Sequence, residues 1–387
     1  MNFAQRTNHL RPEGAYQVLA RAQELEAQGK DIIHLEIGEP DFATPAHVSL
    51  AGIRAIATGQ TRYNPPAGMT PLREVIAEYA GRMRGILINM NQVVVSPGAK
   101  PNLFFPTLAL VNPGDEVIYP DPGFPTYEAM IGVAGGKAVP VPLLEKNGFS
   151  FDLEAFDRLI NSKTKLIILN SPSNPTGGVI PQHDLEHIAQ AAIRYQAWVL
   201  SDEIYNQLLY DGLVAPSIAS IPGMQERTII IDGFSKTYAM TGWRLGYGIM
   251  PEELARRVGL LLTHSVGCTA HFTQVAGIEA LTGPQDYVLM MVEEYKRRRD
   301  LVVKGLNEIP TVSCLEPQGS FYAFPNIQET GKSSDELANL MLEGGVAVLP
   351  GSAFGKYGEG YLRIVFANSY ENIGKALRRM EKVIRGL

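Results

Sequence analysis

Short apolar runs recur along the chain. Each is followed by a turn signal and then by a stretch with helical spacing. The runs are residues 93–95, 117–119, 166–169, 198–200, 228–231 and 245–250. They are almost continuously apolar rather than alternating. Strands covered on both faces have this character, as in a parallel sheet flanked by helices. Between them, Leu185, Ile188, Ala192 and Tyr195 recur at spacings of three and four, which predicts one buried helical stripe. A second helix is predicted over 71–84, with Pro71 in its first turn, where the missing N–H is tolerated. Alternating strand and helix predicts an α/β fold with a mostly parallel central sheet.

The chain ends read differently. Residues 345–349 and 361–366 predict short strands, and 371–387 an amphipathic helix with Ile373, Leu377, Met380 and Ile384 on one face. The segment 13–29 carries Ala15, Val18, Leu19, Ala22 and Leu25 on one face and is expected to pack with them. The predicted organisation is an arm and helix over 1–43, a large domain over 44–285 and a smaller α+β domain over 286–387, with both chain ends contributing to the smaller unit.

Composition narrows the function classes. Of 387 residues, 45% are hydrophobic and 19% charged, which is ordinary globular usage. Lys plus Arg is 34 and Asp plus Glu is 40, giving −6, so no global basic field draws the protein to nucleic acid or an anionic membrane. The local cluster Lys296, Arg297, Arg298, Arg299 is expected to be a solvated helix end. Two cysteines, Cys268 and Cys314, form no disulfide framework and no zinc spacing. Residues 1–14 lack the apolar core of a secretory signal. No apolar stretch reaches the roughly 18 residues of a membrane span. The expectation is a soluble cytoplasmic protein without a metal.

In open α/β sheets ligands bind beyond the carboxyl ends of the strands. Those ends carry Ser96-Pro97-Gly98-Ala99-Lys100, Asn170-Ser171-Pro172-Ser173-Asn174-Pro175-Thr176-Gly177, Ser201-Asp202-Glu203 and Asp232-Gly233-Phe234-Ser235-Lys236. The glycine turn at Gly98 opens a helix-like stretch, 101–110, whose free N–H groups suit a phosphate; an ordinary strand-to-helix turn reads the same way. Asp202 is either a helix cap or the counter-ion of a protonated ring nitrogen. Lys236 is either a solvated lysine or an amine made easier to deprotonate by apolar surroundings and a nearby cation, able to form a Schiff base. Arg244 suits a phosphate fork or a structural ion pair. Arg363 interrupts an apolar strand and suits a carboxylate, or lies on an edge in solvent.

Together these residues resemble the class I aminotransferases, pyridoxal 5'-phosphate enzymes of fold type I related to aspartate aminotransferase. The likeness runs from Gly38-Glu39-Pro40-Asp41-Phe42 to Arg363. Its most specific parts are Asn174-Pro175-Thr176-Gly177, Ser201-Asp202-Glu203-Ile204-Tyr205, and Ser235-Lys236 followed after five residues by Gly242-Trp243-Arg244. The resemblance implies a homodimeric transaminase that moves an amino group from an L-amino acid to a 2-oxo acid by a ping-pong mechanism. Lys236 would hold the cofactor as an aldimine and act as general base. Asp202 would pair with the ring nitrogen, and Tyr205 and Asn174 with the ring 3-oxygen. Phe124 would stack on the ring, where many relatives carry Trp. Gly98, Ala99, Lys100, Ser235 and Arg244 would grip the phosphate, and Tyr63 would reach the neighbouring subunit's cofactor. Arg363, Asn174 and Gly38 would hold the substrate α-carboxylate. The donor stays open between acidic, neutral and aromatic: Arg11 could meet a second carboxylate, Glu13 opposes one, and Ala15 offers no hydroxyl. Tyr16 is expected to line or close the site. A C–S β-lyase or decarboxylase on the same fold, and the effector domain of a transcription regulator, are the alternatives.

Overall fold

The computed structural model describes residues 4–7, 10 and 12–387. Its centre is an eight-stranded sheet. The strands are β1 (Val93–Ser96), β2 (Glu116–Asp121), β3 (Lys137–Leu144), β4 (Ser150–Phe151), β5 (Thr164–Asn170), β6 (Trp198–Asp202), β7 (Thr228–Gly233) and β8 (Gly246–Ile249). Their spatial order is β1-β8-β7-β6-β5-β2-β3-β4. The run β7-β6-β5-β2-β3 is parallel; β8 is antiparallel to both its neighbours, and β4 is antiparallel to β3.

The continuous apolar runs have a simple cause. Alternate residues of each strand enter different cores. Ile118, Ile167, Leu169 and Val199 pack on one face, while Val117, Leu166, Ile168, Leu200 and Ile229 pack on the other. Three of the predicted strands extend past their apolar runs into polar residues that are nonetheless buried: Asn170, Asp202 and Asp232. The strand over Lys137–Leu144 was not predicted. It contains Pro140 and Pro142, which normally argue against a paired strand. It lies near the sheet margin, beside the two-residue strand β4.

Tyr322–Ala323, Leu362–Val365 and Leu349–Pro350 form a separate antiparallel sheet with Leu362–Val365 in the middle. The terminal helix Tyr370–Arg385 packs on the long helix Asp286–Asn307. The helix Gly14–Ala27 buries Ala22 against Ile32, Leu342 and Ala347. The helix His271–Thr282 instead packs on Ala46–Ala57 and Thr70–Arg84, beside the large sheet.

The basic cluster is not a solvated helix end. It lies inside Asp286–Asn307, and Arg298 and Arg299 are buried. Arg298 pairs with Asp41 and Glu294 at 2.8 and 2.9 Å, and Arg299 with Asp211 and Asp300 at 2.6 and 2.7 Å. Successive residues point about 100° apart, so these two share the inward face with Tyr295 and Val302, whereas Arg297 stays exposed.

Gly246 begins β8 against the turn that follows β1. A Cβ there would lie 2.5 Å from the Ala99 backbone nitrogen and 2.6 Å from the Gly98 carbonyl carbon. Backbone cannot rotate aside as a side chain does. Gly246→Ala is therefore expected to lose about 1–3 kcal/mol of stability, read as a lower urea midpoint with unchanged slope. A midpoint equal to the unmodified protein's would show that the two chain segments are not held this close.

Candidate active site

All the parallel strands end on one edge, and so does the start of antiparallel β8. A cavity of about 560 Å³ opens there and is closed from the other side by Tyr322 and Arg363 of the smaller sheet.

The first wall is the turn after β1. Ser96 Oγ donates to the Gly98 carbonyl at 2.6 Å, and Asn102 Nδ2 donates to Ser96 Oγ at 2.7 Å. These bonds fix the chain reversal that starts the helix Lys100–Leu110. Gly98 has φ +84°, and a Cβ there would lie 2.2 Å from Arg244 Nη2. The Arg244 guanidinium thus lies against the glycine turn and donates to Thr241 O at 2.8 Å. Arg244 itself has φ +52° and Ala239 has φ +50°. Two non-glycine residues in the left-handed region cost on the order of 1–3 kcal/mol each. Buried Phe234, packed between Tyr238 and Tyr247, holds the loop in that conformation.

Lys236 sits on this loop. Its Nζ donates to the Gly38 carbonyl at 2.6 Å. Enclosure pulls the amine down from 10.5 to about 8; Arg363, Arg244 and Lys100 push the same way, and Glu39 opposes them.

Arg363 is on the middle strand of its sheet and only 4% exposed. Its Nη1 donates to Asn174 Oδ1 at 3.1 Å and its Nη2 to the Glu36 carbonyl, while Nε has no partner. Tyr205 and Tyr322 share a hydrogen bond at 2.7 Å. Of the residues singled out from the sequence, Gly38, Ala99, Lys100, Phe124, Asn174, Asp202, Tyr205, Ser235, Lys236, Arg244 and Arg363 line the cavity, and Gly98 backs Arg244. Tyr63 does not; it is 97% exposed on the outside. Arg11 lies outside the described residues.

A family profile described as Aminotransferase class I and II matches residues 30–380. The chain belongs to that family. It is 44% identical to an aspartate aminotransferase of Pyrococcus abyssi over 94% of each chain. It is 42% identical to aromatic-amino-acid aminotransferase 2 of Thermococcus litoralis over 93% of each. The solved structure of the Thermus thermophilus aspartate aminotransferase with maleate matches with a TM-score of 0.95 at 38% identity, covering 99% of this chain and 100% of that one. This aminotransferase is an enzyme that uses pyridoxal 5'-phosphate.

The cavity of the aminotransferase fits that cofactor on its own chemistry. A glycine turn, a helix start and an arginine form an anion cradle, an amine stands in the cavity, and a buried carboxylate lines it. That carboxylate, Asp202, is held by residues the sequence did not single out. Tyr127 Oη donates to Asp202 Oδ2 at 2.7 Å, and the Ile204 N–H donates to Oδ1 at 3.3 Å. Below it lies a buried polar network. Arg84 Nε donates to Glu203 Oε2 at 2.8 Å and its Nη2 to Asp232 Oδ2 at 3.2 Å. Ser201 and Ser217 donate to Glu203, and Asn206 and Tyr247 to Asp232. The one signal in the sequence was that two further carboxylates ending buried strands must have a cation; nothing in it pointed to Arg84.

Burial pushes the Asp202 carboxyl up from 3.8 to about 6, with Asp232 and Glu203 adding to the rise. In the cofactor-free protein the folded state therefore holds a proton there that the unfolded chain has already lost. Stability from this group is full below about pH 4 and falls as pH rises through 6, by about 3 kcal/mol at most. Asp202→Asn should remove that fall. The cofactor-free variant is expected to be about 1–3 kcal/mol more stable at pH 8 and about equal at pH 4. Urea midpoints across pH 4–8 check it; parallel curves for the two proteins would contradict it.

Proposed function

We propose that this cavity is the transamination site, with Lys236 as both the attachment point of the cofactor and the base. The observation that carries the reading is that the Lys236 amine and the Asp202 carboxylate face one cavity, with Arg244 and Arg363 on its walls. When bound, pyridoxal phosphate supplies a carbonyl that takes the amino group and a cationic ring that accepts the electron pair left at the substrate Cα. Asp202, anchored by Tyr127, holds the proton on the ring nitrogen. Arg244, Ser235 and the backbone of Gly98, Ala99 and Lys100 bind the phosphate, and Phe124 covers one ring face. Tyr205 and Asn174 hydrogen-bond the ring oxygen. Arg363 binds the substrate α-carboxylate, with Asn174 and the Gly38 backbone completing the grip; its unpartnered Nε is a donor left for that purpose. Lys236, with a pKa near 8, moves the proton from Cα. Residues 44–285 are the unit that carries the cofactor. Unpaired Cys268 and Cys314 suit a reducing cytoplasm, and no described helix is long and apolar enough to cross a membrane.

The functional unit is a homodimer in which Tyr63 completes the partner's phosphate site. Tyr63 leaves its own cavity, and Leu50, Ile53 and Ile56 on the nearby helix Ala46–Ala57 are exposed apolar residues that a second copy would cover.

Incubation with single amino acids, without an acceptor, should convert the cofactor's visible absorption stoichiometrically and release one equivalent of 2-oxo acid. Release of pyruvate and ammonia over many turnovers would identify a lyase instead. Lys236→Ala should bind cofactor and not turn over; full transamination by it would remove Lys236 from the mechanism. Lys236→Ala and Tyr63→Ala protomers, each impaired alone, should regain about a quarter of full activity when mixed as equal parts, because one site in each mixed dimer is then intact. No gain on mixing would mean that each subunit builds its site alone.

A further inference from the structure

Each charge on the cavity wall has a task in the reading above except one pair. Arg244 serves the phosphate, Arg363 the α-carboxylate, Asp202 the ring and Lys236 the proton. Glu39 is bonded by Thr241 Oγ1. What remains is Lys100, whose ammonium is bonded to Glu13 across the mouth of the cavity.

The partners stand differently toward their own helices: an anion such as Glu13 suits a helix N-terminus, a cation such as Lys100 does not. Lys100 is the first residue of Lys100–Leu110, where a cation opposes the helix dipole. Glu13 is the N-cap of Gly14–Ala27, yet its side chain makes no capping bond. Both residues line the cavity that also holds Lys236 and Arg363. Lys100 Nζ lies 5.2 Å from the centre of the Phe124 ring. Glu13 is near enough to Arg363 to act on its charge. The same cavity is also lined by the aliphatic or aromatic side chains of Ala15, Tyr16, Ile37 and Leu103.

We infer that the Glu13–Lys100 ion pair is a side-chain filter that makes the enzyme prefer donors with uncharged, apolar or aromatic side chains over dicarboxylic ones. The inference rests on the site assignment above. A neutral or aromatic side chain passes with the pair intact. Among the described residues, a second substrate carboxylate finds the remaining cation, Lys100, already paired. To reach Lys100 it must displace Glu13, which exchanges one carboxylate for another and leaves Glu13 unpaired beside the incoming acid. Similarity does not choose between these outcomes, because one aspartate aminotransferase and one aromatic-amino-acid aminotransferase match at 44% and 42% identity.

The test uses the holoenzyme, one fixed acceptor, and L-aspartate and L-phenylalanine as donors. The unmodified enzyme should favour phenylalanine in kcat/KM. Glu13→Gln should raise the aspartate-to-phenylalanine ratio about twofold to fivefold, the range expected of a partly exposed ion pair. Adding Lys100→Gln should return the ratio to its starting value, because the freed cation is then gone. Calorimetric titration with succinate and hydrocinnamate, which needs no turnover, should show succinate alone binding more tightly to Glu13→Gln. The inference is overturned if the unmodified enzyme prefers aspartate, if Glu13→Gln leaves the ratio and the succinate affinity unchanged, or if the gain survives in the double variant. If neither donor reacts with the unmodified enzyme, the succinate and hydrocinnamate titration judges the pair by itself, and the single-amino-acid incubations above judge the site assignment.

Discussion

The groups that suit the cofactor arrive on strands that end, or on a strand that begins, at one edge of the eight-stranded sheet. Asn170, Asp202 and the loop to Lys236 come from the carboxyl ends of three adjacent parallel strands. Arg244 comes from the opposite kind of position, just before β8. Only because β8 runs antiparallel does its first residue meet the last residues of its neighbours. A parallel β8 would carry Arg244 to the far edge, with the sheet between it and the glycine turn at Gly98. Strand direction is thus the constraint on which the electrostatics of the site depend.

Gathering charge at one edge burdens the fold, and the structure shows how the burden is met. Asp202, Glu203 and Asp232 lie within two adjacent strand ends, all buried. Arg84 supplies one cation to two of them, and hydroxyl, amide and backbone donors fill the remaining lone pairs. Asp202 is left out of that ion pairing. Its carboxylate keeps a tyrosine and one backbone N–H, and burial pushes it toward the neutral form. A cation in the cavity is what would restore it. The unpaired Arg363 Nε and the depressed Lys236 amine are further instances of polar groups held at the expense of stability for a ligand.

The same reasoning separates the two ends of the cavity. The sheet edge carries groups that suit the cofactor, fixed by short-range backbone geometry at Gly98, Ala239 and Arg244. The opposite wall comes from the smaller sheet and from the N-terminal end of the helix Gly14–Ala27, where Glu13, Ala15 and Tyr16 lie. In the proposed assignment the chemistry common to transamination sits at the sheet edge, and the proposed filter joins that edge, through Lys100, to the chain-end side, through Glu13.

The sequence by itself determined the strand cores, because a residue run buried on both faces must be apolar throughout. It also determined the residues at the strand ends, because polar groups stopping such a run have few structural uses. It did not disclose the strand Lys137–Leu144, whose prolines obey the local rule against pairing and lose to the neighbours that enclose them. It placed Lys296 to Arg299 in solvent, because composition carries no information about which face of a helix is covered. Tyr127, Arg84 and Tyr322 entered the site unannounced, as did the pairing of Glu13 with Lys100, since each joins segments far apart in the chain. Local pattern decides what a segment must bury; only the tertiary structure decides which distant partner satisfies each buried charge, because that choice depends on distances the chain acquires by folding.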